Sequence, residues 1–113
     1  MQDANSSSDR LLNASTEELF ELLGRDLAGR QAFPLSSEEL VEQAKGWFSA
    51  QTKTIQAAIC TPSIAKIFVA ECDERELLLG LADILVEKQF GVAPLTLSAL
   101  VLKIGLKKFC NWP

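Results

Sequence analysis

The sequence contains no histidine, and this absence excludes several kinds of chemistry at once. Histidine is the commonest general base, the usual partner of catalytic serine and cysteine nucleophiles, and the commonest zinc ligand. A glycine-rich phosphate-binding loop is also missing, because the six glycines are isolated from one another. The sequence therefore predicts no catalytic site, no metal site and no cofactor, and it shows no sign of a small-molecule substrate.

Two patterns resemble catalytic or metal chemistry, but each has a simpler explanation. Ser63 and Lys66 match the S-x-x-K spacing, in which a lysine one helical turn after a serine assists its attack on an acyl group. The companion motifs are absent, and a serine near a helix start is ordinary capping chemistry, so an enzyme is the least favoured class. Glu76, Asp83 and Glu87 fall on one helix face and are expected to face solvent, without the enclosing loop of a calcium site.

Signals for strands, for membrane insertion and for export are missing as well. There is no tyrosine, no sustained alternation of polar and apolar residues, and no Asn-Gly or Asp-Gly hairpin turn. The apolar stretches 77–86 and 95–104 are shorter than the roughly 18–20 residues that cross a bilayer. With no signal-like opening, the sequence predicts a cytoplasmic protein in which Cys60, Cys72 and Cys110 are buried, reduced thiols.

A chain of 113 residues has the usual size of one domain with one core. Residues 1–10 are polar and serine-rich and are predicted to form a flexible tail, so that residues 11–113 form a single helical domain. The fold class predicted for that domain is all-α, a compact bundle of five to six helices.

Capping residues indicate where these helices begin and end. We expect Gly29 to end the first helix, and Gly91 to end the helix that runs to Phe90. A break at 49–54 is considered in the helix that begins at Ser36. The last helix, from Pro94 to about Phe109, is apolar around most of its circumference and is predicted to lie at the centre of the bundle. The predicted helix starts are the capping boxes Ser15/Glu18 and Ser36/Glu39, the pair Thr61-Pro62, the acidic cap Asp73, and Pro94.

The charge is unevenly distributed along a chain whose net charge is −4. Acidic residues dominate the first two helices, whereas the only charges after Pro94 are Lys103, Lys107 and Lys108. The helix dipole explains part of this asymmetry, since it favours acids in first turns and bases in last turns. The sharper hypothesis is head-to-tail association, in which the face carrying Glu38 and Glu42 meets the basic end of another copy or of a partner.

The two tryptophans offer an anchor for such contacts. Trp47 and Phe48 point about 100° apart on their helix, so one of them is expected to be partly exposed. Trp112, near the end of the chain, is the better anchor, because tryptophan is enriched where partners bury aromatic area.

The functional prediction is a small helical interaction or adaptor domain, in a regulatory or defence assembly, that binds a protein partner or itself. The alternative is a nucleic-acid-associated regulatory protein using the basic last helix. Nucleic acid and anionic lipid are both disfavoured as partners by the net negative charge.

Overall fold

A computed structural model describes residues 10–29, 35–69 and 73–112. Within these ranges the chain is helical with no strand, which confirms the all-α prediction. The predicted flexible tail lies outside the described residues except for Arg10, and residues 10–13 are helical. The further helices are α1 (Thr16–Ala28), α2 (Ser37–Ile59), α3 (Pro62–Val69), α4 (Glu74–Lys88), α5 (Pro94–Ile104) and α6 (Leu106–Phe109).

Both predicted capping boxes are present at the starts of α1 and α2. The Ser15 hydroxyl accepts a hydrogen bond from the Glu18 amide at 3.1 Å, and the Glu18 carboxylate accepts one from the Ser15 amide at 3.0 Å. Ser36 and Glu39 make the same reciprocal pair, at 3.2 and 2.9 Å. Each box satisfies two backbone N–H groups that the helix itself leaves without partners.

The starts of the next three helices are also as predicted. The Thr61 hydroxyl accepts from the Ile64 amide at 3.3 Å, with Pro62 as the first residue of α3. The Asp73 carboxylate accepts from the Glu76 amide at 2.9 Å and starts α4. Pro94 is the first residue of α5, where its missing N–H costs nothing.

One predicted helix end is wrong, and one break that the sequence left open is not present. α4 ends at Lys88, because Gln89 takes up the left-handed conformation (φ 52°, ψ 61°) two residues before Gly91. α2 has no break at 49–54: its 23 residues are continuous, and the Thr52 hydroxyl donates to the Phe48 carbonyl at 2.8 Å, a common arrangement for threonine inside a helix.

The predicted last helix is two helices joined at Gly105. The φ of Gly105 is 107°, a value that side-chain-bearing residues rarely adopt, and it turns the chain between Ile104 and Leu106. Lys103 and Lys107 therefore do not share one face of a single helix. Thr96, although polar, is buried.

The prediction that the last long helix is central is confirmed. α5 packs against α1, α4 and α6. A helix that is apolar on nearly all sides lowers the free energy of folding most when neighbours cover it all round. In α5 six residues that follow one another in sequence, and so point to all sides of the helix, are buried: Thr96, Leu97, Ser98, Ala99, Leu100 and Val101.

α1 and α2 make the most extensive helix pair, and their backbones touch at Gly24. An ideal Cβ on Gly24 would lie 2.7 Å from the carbonyl carbon of Leu40, and closer still to its oxygen. Any side chain at position 24 would force the backbones of α1 and α2 apart. Further along the pair, the rings of Phe20 and Phe48 pack edge to face with centroids 5.9 Å apart.

Gly24→Ala is expected to destabilise the protein by about 1–3 kcal/mol or more, because the new methyl group overlaps the α2 backbone. Gly46→Ala is the matched control, since a Cβ there meets nothing within 4 Å. In that exposed helix interior alanine should stabilise by up to about 1 kcal/mol. Urea unfolding of both variants measures the difference, and equal stabilities would contradict the close α1–α2 contact.

The capping boxes also predict a pH dependence of stability. The pKa of Glu39 is lowered from its ordinary value of 4.5, first by the hydrogen bond from the Ser36 backbone and then by the Ser36 side chain. A carboxyl group with a lowered folded-state pKa stabilises the fold above its unfolded pKa, and this stabilisation is lost as pH falls through the folded value.

Glu39→Gln should therefore flatten the loss of stability below about pH 4.5, since glutamine keeps an acceptor oxygen but does not titrate. Glu42→Gln is the control, because Glu42 has no hydrogen-bond or ion-pair partner within the described ranges. Thermal unfolding between about pH 3 and pH 7 measures both slopes. An unchanged slope in Glu39→Gln would contradict a role for this box.

Candidate functional site

The candidate site is the C-terminal corner, defined here as residues 105–112. α6 ends in a Schellman motif: the Trp112 amide donates to the Lys107 carbonyl at 3.0 Å and the Asn111 amide to the Lys108 carbonyl at 3.3 Å. Asn111 supplies the left-handed residue that this motif needs, with φ 56°. The motif fixes the backbone of Trp112 relative to both lysines.

Three contacts hold the C-terminal corner against the end of α2. Cys110 forms a disulfide with Cys60, with the two Cα atoms 5.5 Å apart. The Gln56 side-chain amide donates to the Phe109 carbonyl at 2.7 Å. The Phe109 ring is buried and lies 5.8 Å, centroid to centroid, from that of Phe48. The corner is therefore positioned by the core and does not hang free from α5.

The disulfide overturns the prediction of reduced thiols at Cys60 and Cys110. Both side chains are half-buried, one just after α2 and the other just after α6. They are 50 residues apart in sequence, and spacing alone does not reveal which of three cysteines pair. Cys72 lies outside the described residues.

The structure brings three of the predicted partner-binding residues together. Lys107, Lys108 and Trp112 line a shallow depression of about 510 Å³ with Gly105 and Asn111. Both lysine side chains are exposed, and in the described ranges neither has a hydrogen-bond or ion-pair partner. Trp112 is half-buried and packs against the core. The depression thus combines two unneutralised positive charges with an aromatic side chain.

Lys103 lies apart from this depression. Its ammonium group donates to the carbonyl of Leu12 at 3.0 Å, which fastens the helical stretch at 10–13 to α5. One of the three lysines predicted to bind a partner therefore already has an acceptor within the chain.

Glu38 and Glu42 are exposed in the first two turns of α2, far from the C-terminal corner. At 1.5 Å per residue, the 22 residues from Glu38 to Cys60 span roughly 33 Å. Because Cys60 is bonded to the corner, the predicted acidic and basic residues lie at opposite ends of α2. Their roles in binding stay predictions.

Among the described residues, the other candidates from the sequence do not come together in a site. Ser63 and Lys66 are both exposed on α3, and no hydrogen bond joins them. In the part of the chain that the structure describes, no three or more histidine, cysteine, aspartate or glutamate residues form a group that could hold a metal ion. None of the described helices is both long enough and apolar enough to cross a membrane.

The sequence reasoning missed a second surface, between α4 and α5. Leu79 and Val86 on α4 are 37% and 56% exposed, although they belong to an apolar stretch. With Pro94 and Leu95 of α5 they line a groove of about 360 Å³. Their seven-residue spacing places both on one helix face, and this signal was available in the sequence. What the sequence did not show is that none of the described helices covers that face.

Comparison with known proteins finds no family model that matches the chain, and no significant match among curated proteins or solved structures.

The disulfide can be tested by peptide mapping without reduction, which should yield a cross-linked pair of peptides containing Cys60 and Cys110. Replacing both by alanine should lower the free energy of unfolding by about 4 kcal/mol, the chain-entropy value for a loop of 50 residues. Cys72→Ala is the control and should keep the cross-linked pair. Alkylation of all three cysteines in unreduced, denatured protein would contradict the bond.

Proposed function

We propose that this chain is a small interaction domain whose C-terminal corner binds an acidic segment of a protein partner. The observation that carries the proposal is the depression in which Lys107 and Lys108 lie beside Trp112: both lysines are exposed, and neither lysine has a hydrogen-bond or ion-pair partner among the described residues. In a chain with a net charge of −4, two adjacent lysines left unneutralised are available to a partner.

The way in which the corner is held supports this proposal. Binding is weakened when side chains and loops have to be ordered at the moment of association. Here the Schellman motif, the Cys60–Cys110 disulfide and the Gln56 hydrogen bond fix the backbone beforehand. A tryptophan held in this way has the character of a binding hot spot, since it offers a large contact area at small entropic cost.

Nucleic acid binding is the alternative. Fewer lysines are available for it in the structure than the sequence suggested. Of the three lysines after Pro94, Lys103 already donates to the Leu12 carbonyl, which leaves two for a phosphate backbone. Phosphate binding gains affinity with each contact that releases counterions, so two lysines give a weak, strongly salt-dependent complex. The absence of catalysis and a place in a regulatory or defence assembly stay predictions.

The Cys60–Cys110 disulfide weighs against the cytoplasmic location that the sequence predicts. Disulfides form and persist mainly in oxidising compartments, and in the cytosol most of them are transient. The location is decided by rapid alkylation of thiols in intact source cells, followed by mapping of the two cysteines. A fully reduced pair would favour the cytoplasm, and a fully oxidised pair an oxidising compartment.

The test of function is affinity capture from the source cell with the wild type and with a Lys107→Glu, Lys108→Glu variant. We expect a protein that is reproducibly retained by the wild type and lost from the variant, because reversed charges repel an acidic segment. Lys66→Glu with Lys88→Glu is the matched control, with the same charge change at exposed lysines outside the corner.

Retention that disappears after nuclease treatment would support the nucleic-acid alternative and contradict the proposal. Equal retention by the corner variant and the control would show that the corner is not the binding surface. Circular dichroism and thermal unfolding of each variant establish that the fold is intact before the comparison is made.

A further inference from the structure

The groove between α4 and α5 has an apolar floor and an acidic rim. The apolar floor consists of Leu79 and Val86 of α4 on one side and of Pro94 and Leu95 of α5 on the other. Asp83 is the only charged side chain in the lining. Among the side chains that the structure describes, which exclude those of residues 67–69, no other large apolar one is as exposed as Leu79 and Val86. An uncovered apolar pair beside a carboxylate is typical of a surface that takes a partner.

The acidic rim continues along α4 on both sides of Asp83. Glu76 and Glu87 lie seven residues before and four residues after it, so the three carboxylates share one side of the helix. All three side chains are exposed, and none has an ion-pair partner within the described ranges.

Positive charge near this groove is limited. Lys88 lies about 200° around α4 from Val86 and points away from the groove. Arg75, one turn before Leu79, is half-buried and does not line the groove. A segment that combines an aromatic or apolar side chain with lysines therefore matches the groove in both shape and charge.

We infer that this groove binds the C-terminal corner of a second copy of the chain, with Trp112 over the apolar floor and Lys107 and Lys108 beside the acidic rim. The inference rests on the proposed role of the corner as a protein-binding surface and names its partner. It also replaces Glu38 and Glu42, the acceptors predicted from sequence, because Leu79 and Val86 line this groove and none of the large apolar side chains described on α2 is as exposed as they are.

The placement of the two surfaces permits this association. Pro94 and Leu95, at the start of α5, line the groove, whereas the corner follows the end of α5 at Ile104. The two surfaces therefore lie at opposite ends of one helix and can be occupied at the same time. Because they differ from each other, the contact is heterologous and joins copies head to tail into a ring or an open chain.

The test uses the purified full chain with its disulfide intact, in sedimentation velocity from about 10 µM to about 1 mM, the range of weak complexes. We expect concentration-dependent assembly that weakens when salt is raised from about 50 mM to about 500 mM. Asp83→Lys and Lys108→Glu should each weaken assembly at least about tenfold, because each places like charges opposite each other.

Mixing the two variants should restore assembly, since the reversed groove of one accepts the reversed corner of the other. Glu42→Lys is the matched control, an exposed acid of α2 with the same charge change, and it should assemble like the wild type. Loss of assembly in Glu42→Lys but not in Asp83→Lys would overturn the inference in favour of the acidic end of α2.

A chain that stays monomeric at every concentration would overturn the inference but leave the proposed function intact wherever the corner still captures another protein. Assembly that depends on Lys108 and not on Asp83 would overturn the inference that the groove is the binding surface, but it would leave the proposed role of the corner intact. Assembly that neither substitution affects, together with capture that the corner variant does not change, would remove both.

Discussion

The burial of α5 is the constraint on which the rest of the structure depends. Six consecutive residues of this helix are buried, so it cannot lie on the surface and has to be covered by α1, α4 and α6. α4 covers one side of α5 but leaves Leu79 and Val86 exposed beside the start of that helix. The chain continues beyond α5 only through Gly105, whose backbone conformation directs α6 onto the end of α2. Both the groove and the corner follow from how this one helix is enclosed.

The C-terminal corner shows how a short, weak helix becomes a defined surface. Four residues of helix are far too few to be stable in isolation, because helix nucleation is costly. α6 persists because Phe109 is buried against Phe48 and because Cys110 and the Phe109 carbonyl are both joined to α2. Tertiary contacts therefore fix the position of the α6 backbone that carries the two lysines. In this arrangement the disulfide supports the geometry of the surface as well as the stability of the fold.

Features set by a few neighbouring residues could be predicted from the sequence, and features set by distant residues could not. The caps at Ser15, Ser36 and Asp73 each involve residues three apart, and all three form as predicted. The predicted end of α4 is wrong because Gln89, a residue that rarely takes a positive φ, ends the helix before Gly91, and both residues have positive φ in the structure. The Cys60–Cys110 bond and the exposure of Val86 depend on which helices meet, which no local pattern records. For the site, the sequence pointed to Lys107, Lys108 and Trp112 but not to the turn that assembles them.

The helix dipole explains the charges of this chain unequally. Glu38 and Glu39 stand in the first turn of the 23-residue α2, where a negative charge is favoured and where Glu39 also completes a capping box. α6 has only four residues and so a small dipole, which gives a weaker structural reason for Lys107 and Lys108. Glu87 is placed against the dipole, since it lies next to the last residue of α4, where a negative charge is disfavoured. Helix stability therefore accounts for Glu38 and Glu39, and for Glu76 in the first turn of α4, better than for the two lysines of the corner or for Glu87. By this argument a binding role is better supported for Lys107, Lys108 and Glu87 than for Glu38.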